Sequence, residues 1–291
     1  MKPSDFIHPE DEAALRQMEA IPGFPQLVKK ILAVGIEQMV YGVNMASSIR
    51  LSEKQLPDIY RHLPPMCEKL GIPEPEFYLQ IDPNPNAWTS GDTRIWITVT
   101  SGLVEMMSDE ELDAIIAHEC GHILCRHVLY HTLAQWMSQG LSLDGLLDKL
   151  TIPAKFALLY WQRKSELSAD RVSAFVTSPQ TVAQVMARLS GGSQRITKDI
   201  NLQEWALQAE KYNEIRNENA WNKTLQLAVT ASLSHPFAAV RVSEILKWGD
   251  SQQYRTLAAR QEAISQNVCP NCNRHIEPTW KYCKHCGYCL I

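Results

Sequence analysis

His118 and His122, with Glu119 between them, lie in the run Asp113-Ala114-Ile115-Ile116-Ala117-His118-Glu119-Cys120-Gly121-His122-Ile123-Leu124. No other feature restricts the fold as much. Residues four apart on a helix stand one turn apart on the same face, so both imidazoles reach one ion at about 2.0–2.1 Å. H-E-x-x-H is a zinc-site pattern in which the glutamate, rotated away from the two histidines, is placed to act on water. The stretch carries its own helix signals. Ser108 and Glu111 make an S-x-x-E capping box, and Asp109 and Glu110 put negative charge in the first turn. Leu112, Ile115, Ile116, Ile123 and Leu124 supply a face to bury.

A catalytic zinc takes three protein ligands and keeps an open position. The extended pattern H-E-x-x-H-x-x-G-x-x-H would need glycine at position 125 and histidine at 128, where this chain has Cys125 and Val128. The other solution is a glutamate on a second helix. Residues 154–176 read as that helix, following Pro153, with Phe156, Leu158, Leu159, Leu167, Ala169, Val172 and Phe175 as apolar positions. Glu166 and Asp170 lie four apart on its polar side. Their apolar neighbours suit a buried site. Glu166 is assigned as the third ligand, and Asp170 as the acceptor that fixes the tautomer of a ligand histidine. His127 and His131 repeat the four-residue spacing. If the zinc helix runs on to about Met137, 100° per residue puts them on roughly the opposite face, and they are expected to be solvent-facing or structural.

At this point His118-Glu119-Cys120-Gly121-His122 and Glu166-Leu167-Ser168-Ala169-Asp170 resemble the HtpX-like and CaaX-prenyl-endopeptidase family of zinc metallopeptidases, which are gluzincins. The match extends to Asn86-Ala87-Trp88, Val99-Thr100-Ser101-Gly102-Leu103, Asp109-Glu110-Glu111-Leu112, and Ser234-His235-Pro236 followed by Arg241. It spans roughly residues 50–250. The resemblance implies a zinc-dependent endopeptidase taking peptide or protein substrates, with Glu119 as general base. Substrate backbone is expected along the strand near Asn86 and Ala87. His235 is a candidate donor to the oxyanion, or else a cap or anchor for the following helix. Arg241 is expected to hold that loop through carboxylate or carbonyl contacts. The chain departs from many members in lacking transmembrane helices.

The expected fold is α+β and mainly helical: a gluzincin-like domain over residues 51–266, a helical extension over 1–50, and a separate tail over 267–291. Phe77–Ile81 and Arg94–Thr100 are rich in β-type residues, which places a small sheet just before the zinc helix. Leu51–Leu70 reads as a helix opening on a Ser52 cap, kinked or broken by Pro57, Pro64 and Pro65. Helices are also expected near 10–20, 25–46, 202–218, 220–232, 237–248 and 251–266. Trp88, Trp96 and Trp161 hint at apolar pockets near the site.

In the tail, Cys269-Pro270-Asn271-Cys272 and Cys283-Lys284-His285-Cys286 form C-x-x-C pairs ten residues apart, a zinc-ribbon pattern. So short a segment needs such a staple to fold. Two zinc ions are therefore expected, one catalytic and one structural. The ribbon offers a surface for a protein partner. A net charge of -4 argues against nucleic acid. The apolar runs Val28–Met45 and Ala154–Trp161 are interrupted or short of the roughly 20 residues a membrane span needs. With no export signal and eight cysteines, a soluble protein of the reducing cytoplasm is expected. A second reading stays open: a latent or non-catalytic peptidase fold acting as an adaptor through its ribbon.

Overall fold

The computed structural model describes residues 1–32, 36–138, 150–218 and 237–290. Prolines set several helix starts, because a residue without an N–H costs nothing in a first turn. They open α1 (Pro9–Glu19), α4 (Pro57–Tyr60) and α5 (Leu63–Leu70), the last with Pro64 in its first turn. Thus Pro57, Pro64 and Pro65 begin two short helices instead of kinking one. Ser52 is not a cap: it bridges to Gln55 in a tight turn ahead of α4. Two further helices, α2 (Phe24–Leu32) and α3 (Ile36–Ser47), lie between α1 and the sheet.

The sheet has four strands, β1 (Ile49–Arg50), β2 (Glu76–Gln80), β3 (Ala87–Gly91) and β4 (Ile95–Thr100), in the order β1-β2-β4-β3. β2 and β4 are parallel, while β3 and β4 form an antiparallel hairpin with Ala87 opposite Val99 and Gly91 opposite Ile95. Glu37 of α3 closes this hairpin by accepting from the N–H groups of Asp92 and Arg94 and from the Thr93 hydroxyl. β3 is an edge strand, and it is the strand that meets the zinc-motif helix.

That helix, α7 (Asp109–Leu124), follows the short α6 (Ser101–Met106) and begins with the expected capping box between Ser108 and Glu111. It stops earlier than the sequence suggests. Arg126 adopts a left-handed conformation at φ 63°, its N–H bonds back to the Ile123 carbonyl, and the His127 N–H bonds to the His122 carbonyl. These paired bonds make a Schellman ending with arginine in the position usually held by glycine. A new helix, α8 (Val128–Ser138), then sets off in another direction.

The long α9 (Ile152–Val176) packs along α7. Gly121 allows the close approach: a Cβ there would lie 3.0 Å from the Ala169 Cα and 3.0 Å from the Val172 Cβ. Ser173 Oγ adds a 2.6 Å hydrogen bond to the Ala114 carbonyl across the same seam. On the other side α10 (Pro179–Gly191) is tied to α7 by the buried Arg188–Glu111 pair at 2.7 Å. Past the short α11 (Gln194–Thr197), α12 (Leu202–Asn217) packs on α13 (Ala238–Gly249), which is followed by α14 (Gln252–Ser265). α12 forms where a helix is expected, and its Ala209 is buried. The helix expected over 220–232 lies outside the described residues. Among the described residues no helix is long and apolar enough to cross a membrane. The fold is mainly helical with one small sheet, as the sequence indicates.

Candidate metal centre

The α7–α9 seam brings three donors together. His118 Nε2 and His122 Nε2 are 3.2 Å apart, and each is 3.4 Å from an oxygen of Glu166. Four donors around zinc at about 2.05 Å would be separated by about 3.3 Å along each tetrahedral edge. The two nitrogens, and each nitrogen with the Glu166 oxygen it faces (Oε2 for His118, Oε1 for His122), are spaced close to that edge. All three residues are buried, with Glu166 fully so.

Tautomers support the same use. His118 Nδ1 is 3.0 Å from an Asp170 oxygen, and His122 Nδ1 is 3.1 Å from His127 Nδ1. A neutral imidazole that donates from Nδ1 presents a bare lone pair at Nε2. Two such lone pairs and a carboxylate converge on one point, a donor set that fits zinc. Charge agrees. Glu119, Glu166 and Asp170 supply three carboxylates and Arg241 one guanidinium, all buried, which leaves a net demand for positive charge.

Arg241, from α13, grips Asp170 through two hydrogen bonds at 2.8 and 2.6 Å and lies 3.1 Å from Glu166. Burial alone would raise the Asp170 carboxyl, but Arg241 and His118 outweigh it and hold it below the ordinary carboxylate range. Burial similarly opposes protonation of His118, and the Asp170 and Glu166 carboxylates override it, raising His118 to about 10 in the absence of metal. Arg241's carboxylate partners are the two acidic residues of the α9 motif, while the loop it is expected to hold lies outside the described residues.

Glu119 has its own anchor. Its Oε2 accepts a 2.7 Å hydrogen bond from Thr89 Oγ1 on β3. Thr89 is a residue the motif reading missed. Its only signal is its place three residues after Asn86 on the strand that precedes the zinc helix.

Beside these groups lies a cavity of about 400 Å³. His118, Glu119, Asp170 and Arg241 form its polar end, Asn84–Ala87 one wall, and Ile115, Val182, Val185, Met186 and Leu189 an aliphatic wall. Asn86 and Ala87 thus stand on the same cavity as Glu119. Trp96 and Trp161 do not: both are core side chains with 1% and 0% exposure. His235 lies outside the described residues.

The break at Arg126 corrects the reading of His127 and His131. They do not lie on the far face of a continuous helix, because α8 folds back and returns both rings to His122. His127 is 2% exposed and its ring lies 5.3 Å from that of His122, while the His131 ring lies at 4.2 Å.

The four tail cysteines also converge. Cys269 Sγ is 3.6 Å from Cys286 Sγ, and Cys272 Sγ is 3.7 Å from Cys283 Sγ. Thiolates around zinc at about 2.3 Å would be about 3.8 Å apart. The two halves repeat one turn: the Asn273 N–H bonds to the Cys269 carbonyl, and the Gly287 N–H to the Cys283 carbonyl. Asn273 and Gly287 both have positive φ, which lets the chain fold each cysteine pair inward. The cluster is consistent with a zinc ribbon.

Comparison with known proteins agrees with this geometry. Residues 53–249, well over half the chain, match the model of peptidase family M48. The chain belongs to that family. Within it, the chain is 32% identical over 262 residues to the "Plastoglobule-localized metallopeptidase 48, chloroplastic" of Arabidopsis thaliana, covering 88% of this chain and 75% of that protein. It is 33% identical over 94 residues to a protease HtpX homolog of Pelotomaculum thermopropionicum, covering 32% of this chain and 34% of the relative. A protease HtpX homolog of Methanocaldococcus jannaschii is 28% identical over 172 residues, covering 49% and 61%. No solved structure matches the chain. As a family M48 member it is a metallopeptidase, and the family's metal is zinc.

Proposed function

We propose that the chain is a zinc-dependent endopeptidase in which His118, His122 and Glu166 hold the catalytic zinc and Glu119 moves the protons. The observation that carries this is the convergence of His118, His122 and Glu166 beside Glu119, at one end of a cavity walled by Asn86 and Ala87. Zinc held there supplies Lewis-acid polarisation of the scissile carbonyl and lowers the pKa of water.

The chain's residues do the rest. Glu119 takes the proton of the attacking water on the oxygen that Thr89 leaves free, then passes it to the leaving amine. Thr89 orients the carboxylate for both transfers. Asp170 accepts from His118 Nδ1, and Arg241 holds Asp170 and Glu166 in register. The substrate backbone runs along the β3 edge at Asn86 and Ala87, pairing as an added strand, and the aliphatic wall takes a side chain. The far half of that edge is occupied already: the Gly91 N–H donates to Thr132 Oγ1, and Ser90 Oγ to Gln135 of α8. His235 is assigned as a donor to the oxyanion.

A second zinc is assigned to Cys269, Cys272, Cys283 and Cys286, where it fixes the ribbon at the end of α14. None of the eight cysteines is in a disulfide, which fits a reducing compartment such as the cytoplasm.

The test is digestion of an unfolded protein and a mixed peptide library, with products sequenced. Internal cuts that stop on addition of a zinc chelator support the proposal. Trimming from chain ends only would replace it with an exopeptidase, and absence of cleavage by zinc-loaded protein would refute it.

A further inference from the structure

Asp11 and His127 have no part in that chemistry, yet both are buried behind the metal centre, at 1% and 2% exposure. Asp11 sits on the packing face of α1 with Ala14 and Met18. A carboxylate in an apolar stripe needs a strong reason to be there. The reason is visible in its partners. Trp161 Nε1 donates to Asp11 Oδ1 at 2.9 Å, Ser168 Oγ donates to Oδ2 at 2.5 Å, and His127 Nε2 lies 3.1 Å from Oδ2. Ser168 is held in turn by the His8 N–H at 2.9 Å.

With both imidazoles neutral, these contacts set the direction of each hydrogen bond in the chain of groups. Asp11 only accepts, so His127 carries its hydrogen on Nε2 and offers a bare Nδ1. That atom is 3.1 Å from His122 Nδ1, and His122 turns its own Nε2 to His118 and Glu166. His122 must then donate from Nδ1 to His127. The Nε2 of His131 is engaged elsewhere: Ser165 Oγ gives its proton to the Gln162 carbonyl and so accepts from that nitrogen at 2.6 Å.

We propose that Asp11 and His127 are positioning residues of the metal centre, forming a hydrogen-bonded relay that fixes the tautomer and orientation of His122. This rests on His122 being a zinc ligand, as proposed above. The N-terminal helix is then part of the centre, neither a cover over the cleft nor a detachable extension. The two histidines are buttressed differently: His118 by a carboxylate directly, and His122 by a carboxylate acting through a second imidazole. The break at Arg126 makes the second arrangement possible, because a continuous helix would carry His127 away.

The test uses the full-length, zinc-loaded protein and reads metal, not turnover. His127→Phe removes the acceptor, His127→Asn keeps one near the place of Nδ1, and Asp11→Asn removes the charge that sets the direction of the relay. Zinc affinity of the catalytic site is measured by chelator competition, and the site is also filled with cobalt for its visible spectrum. The ribbon zinc serves as an internal control for folding. Loss of such a supporting partner lowers metal affinity by about 10–100-fold. The expected order of affinity is wild type, then His127→Asn, then His127→Phe, with a shifted cobalt spectrum and the ribbon site unchanged. Asp11→Asn is expected to weaken the site in the same direction. If His127→Phe fails to fold, His127→Asn and Asp11→Asn decide alone. Folded variants with wild-type affinity and spectrum would overturn the relay. So would a third zinc equivalent lost on His131→Ala, which would make His122, His127 and His131 a metal site of their own. Because no substrate is involved, failure of the relay and failure of the peptidase assignment give different results.

Discussion

Replacing Gly121 by alanine sets local preference against packing, and the two predict opposite signs. In an exposed helix interior, glycine to alanine stabilises by about 1 kcal/mol. Here the new methyl would sit 3.0 Å from the Ala169 Cα, 3.0 Å from the Val172 Cβ and 3.1 Å from the Ala169 carbonyl oxygen. Ordinary contacts are about 3.5–4.0 Å, so α7 and α9 must part by roughly half an ångström. Two of the three atoms are backbone and cannot swing aside. Overpacking of this kind costs about 1–3 kcal/mol, and rigid neighbours place it near the top of that range. The net is about 2 kcal/mol destabilising, or a fall of roughly 4–8 °C in melting temperature. The same parting moves Glu166 away from His118 and His122, since they lie on opposite sides of the seam. Catalytic-site zinc affinity should fall with stability while ribbon zinc is retained. The assays are thermal unfolding and chelator competition. An alanine variant as stable as wild type, or more so, with unchanged zinc affinity would refute the claim that this crossing sets the geometry.

Other consequences are as direct. Arg126→Gly should stabilise by about 1 kcal/mol or less, because an exposed arginine now holds a left-handed Schellman position that glycine adopts freely; a lower melting temperature would contradict it. Arg241→Met should cost about 3–5 kcal/mol by leaving Asp170 buried without its guanidinium. Arg61→Met, which removes an exposed pair with Asp109, should cost about 0–1 kcal/mol in the same denaturation series. Glu37 gives a pH test. Burial works to raise its carboxyl, but hydrogen bonds from Arg94, Thr93 and Asp92 outweigh it and leave it below the ordinary 4.5. A lowered folded-state value means its contribution is fully present above 4.5 and lost as pH falls through the lowered one. Wild type should therefore exceed Glu37→Gln in stability at neutral pH, and the two acid-unfolding curves should converge below that range.

The parts of this molecule that could be read from sequence are those in which local chemistry and tertiary need coincide. Ser108 and Glu111 cap α7 as their spacing indicates, the β-branched run of β4 is a strand, and Glu166 and Asp170 share a helical face because they are four apart. Where the two diverge, the sequence misleads. Cys125-Arg126-His127 contains neither glycine nor proline, so nothing local announces the end of α7, and His127 and His131 appear to face away from the site they adjoin. Asp11 and Thr89 carry no motif, since their roles depend on long-range contacts to His127 and Glu119. Asp11 does leave a trace as an acid in the Ala14–Met18 stripe. The prolines at 57, 64 and 65 were legible as interruptions, but not as starts.

Zinc-binding and proton transfer are assigned to different residues of one centre. The most direct test of that assignment pairs zinc counting with cleavage of an unfolded protein by wild type and Glu119→Gln. Two zinc ions per chain are expected in both proteins, with cleavage by the wild type alone. Cleavage by zinc-loaded Glu119→Gln at the wild-type rate, or zinc in the ribbon only, would contradict the assignment.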